Sequence, residues 1–283
     1  MRRLPVLVSV AALLVAGAVA GPGGAHAEAP ADPDRAAATV VRDIEIPVAG
    51  QPAVRAWLVR PQRSGGGLAG VLDLHWFEPG RANQDRSEFL AEATALAGRG
   101  VVSVLPQLTF PWAGDPVGDA RDRAAVTAQL DAVHAAYRRL LAEPGVDRKR
   151  TAVVGHDYGA MYAVDLTARE PGLRTAVLLA PDATWANWFD SYWLQLPEGE
   201  RAAYRAVFAG LDPVDLVGRL DAGAYLQFAG ADRFVGAETR AAFAAAAPRA
   251  TVSLYPGEEH DLNAARTRDD RLAWLAGRLG LGD

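Results

Sequence analysis

Val153-Val154-Gly155-His156-Asp157-Tyr158-Gly159-Ala160 carries an apolar run into an amphipathic one, with a glycine two residues before Asp157 and another two residues after it. Where a strand turns straight into a helix, side chains at those two places collide as the backbone reverses. The spacing therefore predicts a sharp elbow that presents Asp157 as a nucleophile. The turn sets the carboxylate beside the first N–H groups of the helix, which favour an anion. A plainer alternative is that Asp157 caps the helix, since Asp is a good N-cap.

Outward from the elbow, apolar runs alternate with amphipathic ones. Strands are expected at Gly70–His75, Val101–Leu105, Thr151–Gly155, Thr175–Leu179, Ala224–Ala229 and Thr251–Tyr255. Helices are expected at Arg86–Ala97, Arg121–Leu141, Gly159–Arg169, Glu238–Ala246 and Asp269–Leu279. Strands separated by helices of this length pair in parallel through right-handed crossovers. The fold class is α/β, a doubly wound, mostly parallel sheet. Two further β-rich runs, Val40–Val48 and Ala53–Arg60, flank the turn Ala49-Gly50-Gln51-Pro52 and read as a leading hairpin. Residues 183–222 break the rhythm with Trp185, Trp188, Phe189, Tyr192, Trp193 and Tyr204, and are expected to form a small aromatic cap over the C-terminal edge of the sheet.

Before the hairpin, Arg2 and Arg3, the apolar stretch Pro5 to Ala20 and the small-x-small triplet Ala25-His26-Ala27 have the form of a cleavable export signal. Residues 1–27 are expected to be removed, residues 28–38 to form a flexible lead, and residues 39–283 to form one domain, secreted and not held to a membrane. Loss of the two arginines takes the formal charge from −5 to −7, which leaves no basic stripe for nucleic acid. The sequence has no cysteine, so disulfides, thiolate metal sites and a thiol nucleophile are all excluded. Nothing in the sequence calls for a cofactor or metal, and it leaves the oligomeric state open.

An activated nucleophile needs a histidine base and an acid to orient it. Asp232 follows the strand ending at Ala229, and His260 follows the last strand in Gly257-Glu258-Glu259-His260-Asp261. Both thus lie beyond strand C-termini, where open α/β sheets build their sites. Asp182, just past Leu179, is the second candidate for the acid. The loop after the first parallel strand, Leu74-His75-Trp76-Phe77-Glu78-Pro79-Gly80, is placed to donate a backbone N–H. The amides of Trp76 and Tyr158 are the candidate oxyanion hole. His75, Trp185, Trp188, Tyr192 and Trp193 are candidates to line a pocket for a small apolar substrate. For His75, packing beneath the site is the competing role.

From Gly70 to Leu279 the chain resembles the α/β-hydrolase superfamily. The runs Leu96-Ala97-Gly98-Arg99-Gly100-Val101-Val102-Ser103-Val104-Leu105-Pro106 and Gly145-Val146-Asp147-Arg148-Lys149-Arg150-Thr151-Ala152-Val153-Val154-Gly155-His156 resemble dienelactone-hydrolase-like esterases and related peptidase domains. Those enzymes carry Ser or Cys at the elbow. Gly155-His156-Asp157-Tyr158-Gly159 instead resembles the elbow of epoxide hydrolases and haloalkane dehalogenases. That resemblance implies a covalent ester on Asp157, formed by attack on an epoxide or haloalkane and hydrolysed by water that His260 activates. It also implies tyrosines to protonate an epoxide oxygen, with Tyr192 and Tyr204 as candidates, or indole N–H groups to receive a halide. Chemistry supports the aspartate route, because a carboxylate that attacks an ester carbonyl forms a mixed anhydride uphill, whereas attack on an sp³ carbon forms an ordinary ester. Ester or lactone hydrolysis through water held by Asp157 and His260, and a non-catalytic ligand-binding role, are the alternatives.

Overall fold

The computed structural model describes residues 38–62, 65–76, 85–111, 113–220 and 223–282. The expected signal, residues 1–27, and all but the last residue of the lead lie outside them, as do Phe77 to Gly80 of the loop after the first parallel strand.

Among the described residues eight strands form one sheet: β1 (Thr39–Ile46), β2 (Val54–Pro61), β3 (Leu68–Leu74), β4 (Val101–Pro106), β5 (Val146–His156), β6 (Thr175–Leu179), β7 (Ala224–Ala229) and β8 (Thr251–Tyr255). Their spatial order is β1-β2-β4-β3-β5-β6-β7-β8. β1 and β2 form an antiparallel hairpin, with Thr39 opposite Pro61 and Ile46 opposite Val54. β2 runs antiparallel to β4, and every later pairing is parallel. This is the α/β-hydrolase fold. From β3 the chain crosses to β4 on one side and then to β5 on the other, so the sheet reverses direction at β3. The crevice such a reversal opens lies at the C-terminal ends of β3 and β5, where the elbow is.

Residues in β3, β4, β6 and β7 are buried throughout, as strands covered on both faces must be. Gly70 in β3 lies against Leu140 of α2 (Ala120–Leu141). Asp73 is an odd number of residues further along, so its side chain leaves by the opposite face. Burial there, together with Glu92 of α1 (Leu90–Ala97), raises its pKa well above the ordinary range. The helices thus sandwich the sheet. α3 (Tyr158–Arg169) packs beside α2, while α8 (Ala265–Leu279) meets α1 through the buried Arg271–Glu92 ion pair.

Most of the expected elements fall within one to three residues of the observed bounds, and three differ more. α1 begins at Leu90 instead of Arg86, because residues 86–89 form a turn in which the Asp85 carboxylate accepts the Ser87 amide. β5 starts at Val146, five residues early, because Val146 pairs with Leu68 across a register shift. α8 starts at Ala265, four residues early. Between β6 and β7 the segment proposed as a cap holds α4 (Trp185–Phe189), a π-helical turn at Asp190–Leu194, α5 (Glu198–Val207), α6 (Pro213–Leu216) and a 3₁₀ turn at Val217–Arg219. The next helix is α7 (Ala237–Ala246).

Candidate active site

Asp157 occupies a backbone conformation that few L-residues adopt, φ 56° and ψ −124°, between the end of β5 and the first residue of α3. The turn is held by the Asp157 amide, which donates to the Leu179 carbonyl at 2.8 Å, and by the Asp157 carbonyl, which accepts the amides of Ala160 and Met161. Both glycines are required. A Cβ at Gly155 would sit 2.5 Å from the Gly159 carbonyl oxygen, and one at Gly159 would run into the carbonyl oxygens of Leu74 and His75. The Asp157 side chain makes no capping hydrogen bond, which removes the plainer reading of it as an N-cap.

The carboxylate of Asp157 is buried, and neither oxygen has a hydrogen-bond partner. Its nearest cationic neighbour is His260, whose Nε2 lies 3.6 Å from Oδ2. On the other side of the ring, His260 Nδ1 donates to Asp232 Oδ2 at 2.9 Å. Asp232 is fixed in turn by the amides of Phe234 and Val235, which donate to its Oδ1 at 2.8 and 3.0 Å. Asp157, His260 and Asp232 therefore meet as one chain of contacts. Asp182 does not join it. Its carboxylate accepts the Thr184 amide and the Asn187 side-chain amide, and burial raises its pKa to about 6.

The electrostatics follow from these neighbours. Burial of His260 favours the neutral ring, but the close Asp157 carboxylate and the hydrogen-bonded Asp232 carboxylate outweigh it and raise the pKa to about 10. Burial raises the Asp157 carboxyl above its ordinary value despite His260. Burial also opposes ionisation of Asp232, but the His260 hydrogen bond and the two amides prevail and its pKa falls. At neutral pH the His260 ring therefore holds its proton, between the carboxyl groups of Asp157 and Asp232.

Several expected site residues do other work. The Trp76 amide donates to Glu88 Oε2 at 2.8 Å, so this N–H is spent and does not serve as an oxyanion donor. The Tyr158 amide begins α3, where an N–H points out of the helix's own bonding pattern beside Asp157. His75 is structural: Nδ1 donates to the Trp76 carbonyl at 2.5 Å and Nε2 accepts the Leu108 amide at 2.9 Å, so neither nitrogen faces a substrate. Trp185 is packing; its indole donates to the Leu211 carbonyl and its ring lies 4.7 Å from Tyr162. Tyr192 donates to the Phe234 carbonyl, and Tyr204 donates to Asp122 at the start of α2, so both hydroxyl protons are committed. Trp188 does reach the centre. Its ring stacks near-parallel on His260 at 6.3 Å, and its buried Nε1 has no partner. Trp193 and Tyr192 pack behind it.

Sequence reading missed Glu88, His156 and Phe234. Phe234 meets the His260 ring edge-on at 5.0 Å. His156 Nε2 donates to the His260 carbonyl at 2.9 Å, and its Nδ1 lies 2.5 Å from Glu88 Oε1. A histidine at the end of an otherwise apolar strand was a usable signal for His156. Glu88 carried none, being one charged residue among several in its segment.

A cavity of about 330 Å³ opens on His260, walled by Trp76, Arg233, Phe234, Glu259 and Asp261, and Asp157 is not among its lining residues. A larger cavity of about 540 Å³, beside Gln107, Phe110 and Gln129, includes no member of the Asp157–His260–Asp232 chain. Among the described residues no group of three or more His, Asp or Glu side chains is arranged to hold a metal ion.

No family model matches the sequence, and no curated protein matches it. Solved structures do match. A candidate dienelactone hydrolase from Klebsiella pneumoniae superposes with a TM-score of 0.61 at 17% identity, covering 86% of this chain and 99% of that one. Acetyl xylan esterase 1 from Thermoanaerobacterium gives 0.59 at 15% identity, covering 87% and 88%. A puromycin-hydrolyzing peptidase of Mycobacterium tuberculosis gives 0.64 at 16% identity, covering 88% of this chain but only 41% of the peptidase. At these identities the likeness establishes the fold.

Proposed function

We propose that this protein hydrolyses carboxylic esters or lactones, with Asp157 acting as general base toward water. One observation carries the reading: a buried carboxylate on the elbow, both oxygens unpartnered, lies 3.6 Å from a histidine that Asp232 orients. The charged residues Arg233, Glu259 and Asp261 around the His260 cavity favour a polar substrate over the apolar one expected from sequence. The esterase and peptidase neighbours support a carbonyl substrate by analogy of fold.

In this reaction water attacks the carbonyl carbon and gives its proton to the Asp157 carboxylate. The tetrahedral oxyanion is stabilised beside the Tyr158 amide at the helix N-terminus. As the intermediate collapses, the departing alkoxide takes the Nε2 proton of the His260 imidazolium, and Asp157 returns its proton to His260. The protonated resting histidine thus serves as the acid, a role its raised pKa permits near neutrality.

A second reading has Asp157 attack an sp³ carbon and form an alkyl ester, which water then hydrolyses. The unpartnered Nε1–H of Trp188, buried against His260, favours a halide leaving group here. The two tyrosines expected to protonate an epoxide oxygen are committed, Tyr192 to the Phe234 carbonyl and Tyr204 to Asp122. Alkylation would remove one of the two charges that hold His260 protonated, freeing it to act as base.

A single turnover in H₂¹⁸O, followed by mass spectrometry of substrate products and of the peptide containing Asp157, separates the two. The ester reading predicts label in the product carboxylate and none in Asp157. Label in Asp157 would replace it with the covalent route. No turnover of any ester, lactone or haloalkane would discard both.

A further inference from the structure

One largely buried carboxylate ties the loop after β3 to the end of β5. Glu88, in the turn before α1, accepts the Trp76 amide on Oε2 at 2.8 Å and meets His156 Nδ1 with Oε1 at 2.5 Å. His156 immediately precedes the elbow aspartate, and its Nε2 donates to the carbonyl of His260 at 2.9 Å. A continuous run of hydrogen bonds therefore passes from the loop after β3, through the end of β5, to the backbone of the residue that contacts both Asp157 and Asp232. The rings reinforce it: Trp76 lies 5.2 Å from His156 and 5.0 Å from His260, and the two histidine rings are 5.3 Å apart.

We propose that Glu88 and His156 are positioning residues that fix the His260 ring against Asp157 and Asp232. They touch no reacting atom in the proposed mechanism, and their effect passes through the backbone of His260.

Donor and acceptor roles define how the pair works. His156 Nε2 faces a carbonyl and so carries a proton, and Glu88 Oε2 faces an amide and so accepts. The remaining proton lies between Nδ1 and Oε1. Whichever atom holds it, the pair is neutral as a whole and adds no net charge beneath the imidazolium. Burial raises the Glu88 pKa despite His156. A glutamine at position 88 can reproduce both contacts, since its carbonyl oxygen accepts the Trp76 amide and its NH₂ donates to Nδ1. An alanine reproduces neither.

The inference deepens the proposed hydrolytic site, so its test uses a readout that needs no substrate. Solvent exchange of the His260 Nδ1–H, followed by NMR in the full-length protein, reports how firmly the ring is held on Asp232. Glu88→Ala is expected to speed that exchange about tenfold or more. His156→Leu, which breaks the chain at its middle, is expected to do the same. Glu88→Gln should keep the parent rate. Where an ester is turned over, Glu88→Ala should lower kcat on the order of 10²-fold with KM little changed, as displacement of a reacting group by an ångström does. Exchange unchanged in both Glu88→Ala and His156→Leu would overturn the proposal, as would Glu88→Gln exchanging as fast as Glu88→Ala. If no substrate is found, the hydrolytic reading fails and the exchange comparison still decides this one. If Glu88→Ala does not fold, His156→Leu and Glu88→Gln carry the comparison.

Discussion

His75 and His260 are both buried, and both follow a strand of the same sheet edge, yet the protein uses them in opposite ways. His75 has a carbonyl on one nitrogen and an amide on the other. Burial, unopposed by a carboxylate hydrogen bond, lowers its pKa to about 4. His260 has a carboxylate on either side, and these raise its pKa to about 10 against the same burial. Burial alone therefore says little about a histidine. The residue whose bonding is complete holds two loops together, and the one left with an unbonded nitrogen facing an unbonded carboxylate is equipped for chemistry.

The largest way to break this contrast is at the unbonded pair. Asp157→Asn keeps the shape and removes the base, so kcat/KM for ester hydrolysis should fall on the order of 10⁴-fold. An unchanged rate in this variant would move the chemistry elsewhere. Asp232→Asn leaves Asp157 in place but loosens the His260 ring and its proton. A loss of about 10³-fold is expected, mainly in kcat, and a loss confined to KM would speak against an orienting role. Gly159→Ala tests the elbow itself. The added Cβ meets the carbonyls of Leu74 and His75, so denaturant unfolding should show a loss of about 3 kcal/mol. Retained stability would mean that the turn can relax.

At His75 the expected effect is smaller and lies on stability. His75→Phe leaves the Leu108 amide without its buried acceptor, at a cost of about 1–3 kcal/mol. The pH–rate profile should be unmoved, and a shifted profile would return His75 to the site. The sign of its pH dependence also follows. The folded-state pKa lies below the ordinary 6.5, so the neutral ring's contribution is fully present above pH 6.5 and is lost as the pH falls toward about 4. That acid limb of the stability curve should flatten in His75→Phe.

Much of this contrast was legible in sequence, and the reasons bear on what was not. The elbow could be read because steric exclusion at Gly155 and Gly159 acts within five residues. The chain order Asp157, Asp232, His260 could be read because parallel strands deliver their C-terminal loops to one edge. The sheet emerged from alternating periods, and the late start of α1 was missed because Arg86 to Phe89 suit a helix locally but are held in a turn by Asp85. Partners distant in sequence stayed hidden. Trp76 was read as an oxyanion donor because nothing in its own loop reveals the Glu88 carboxylate on its amide. The cap aromatics read as equivalent, although three-dimensional packing commits the Trp185 indole to Leu211 and leaves that of Trp188 open beside His260.

The central claim is that His260 rests as an imidazolium between Asp157 and Asp232. A ¹⁵N NMR titration of the His260 ring tests it most directly. The midpoint should lie near 10 in the parent protein and fall toward the ordinary 6.5 in Asp157→Asn, where one of the two carboxyl groups beside the ring is gone. A midpoint near 6.5 in the parent, unmoved by Asp157→Asn, would contradict it.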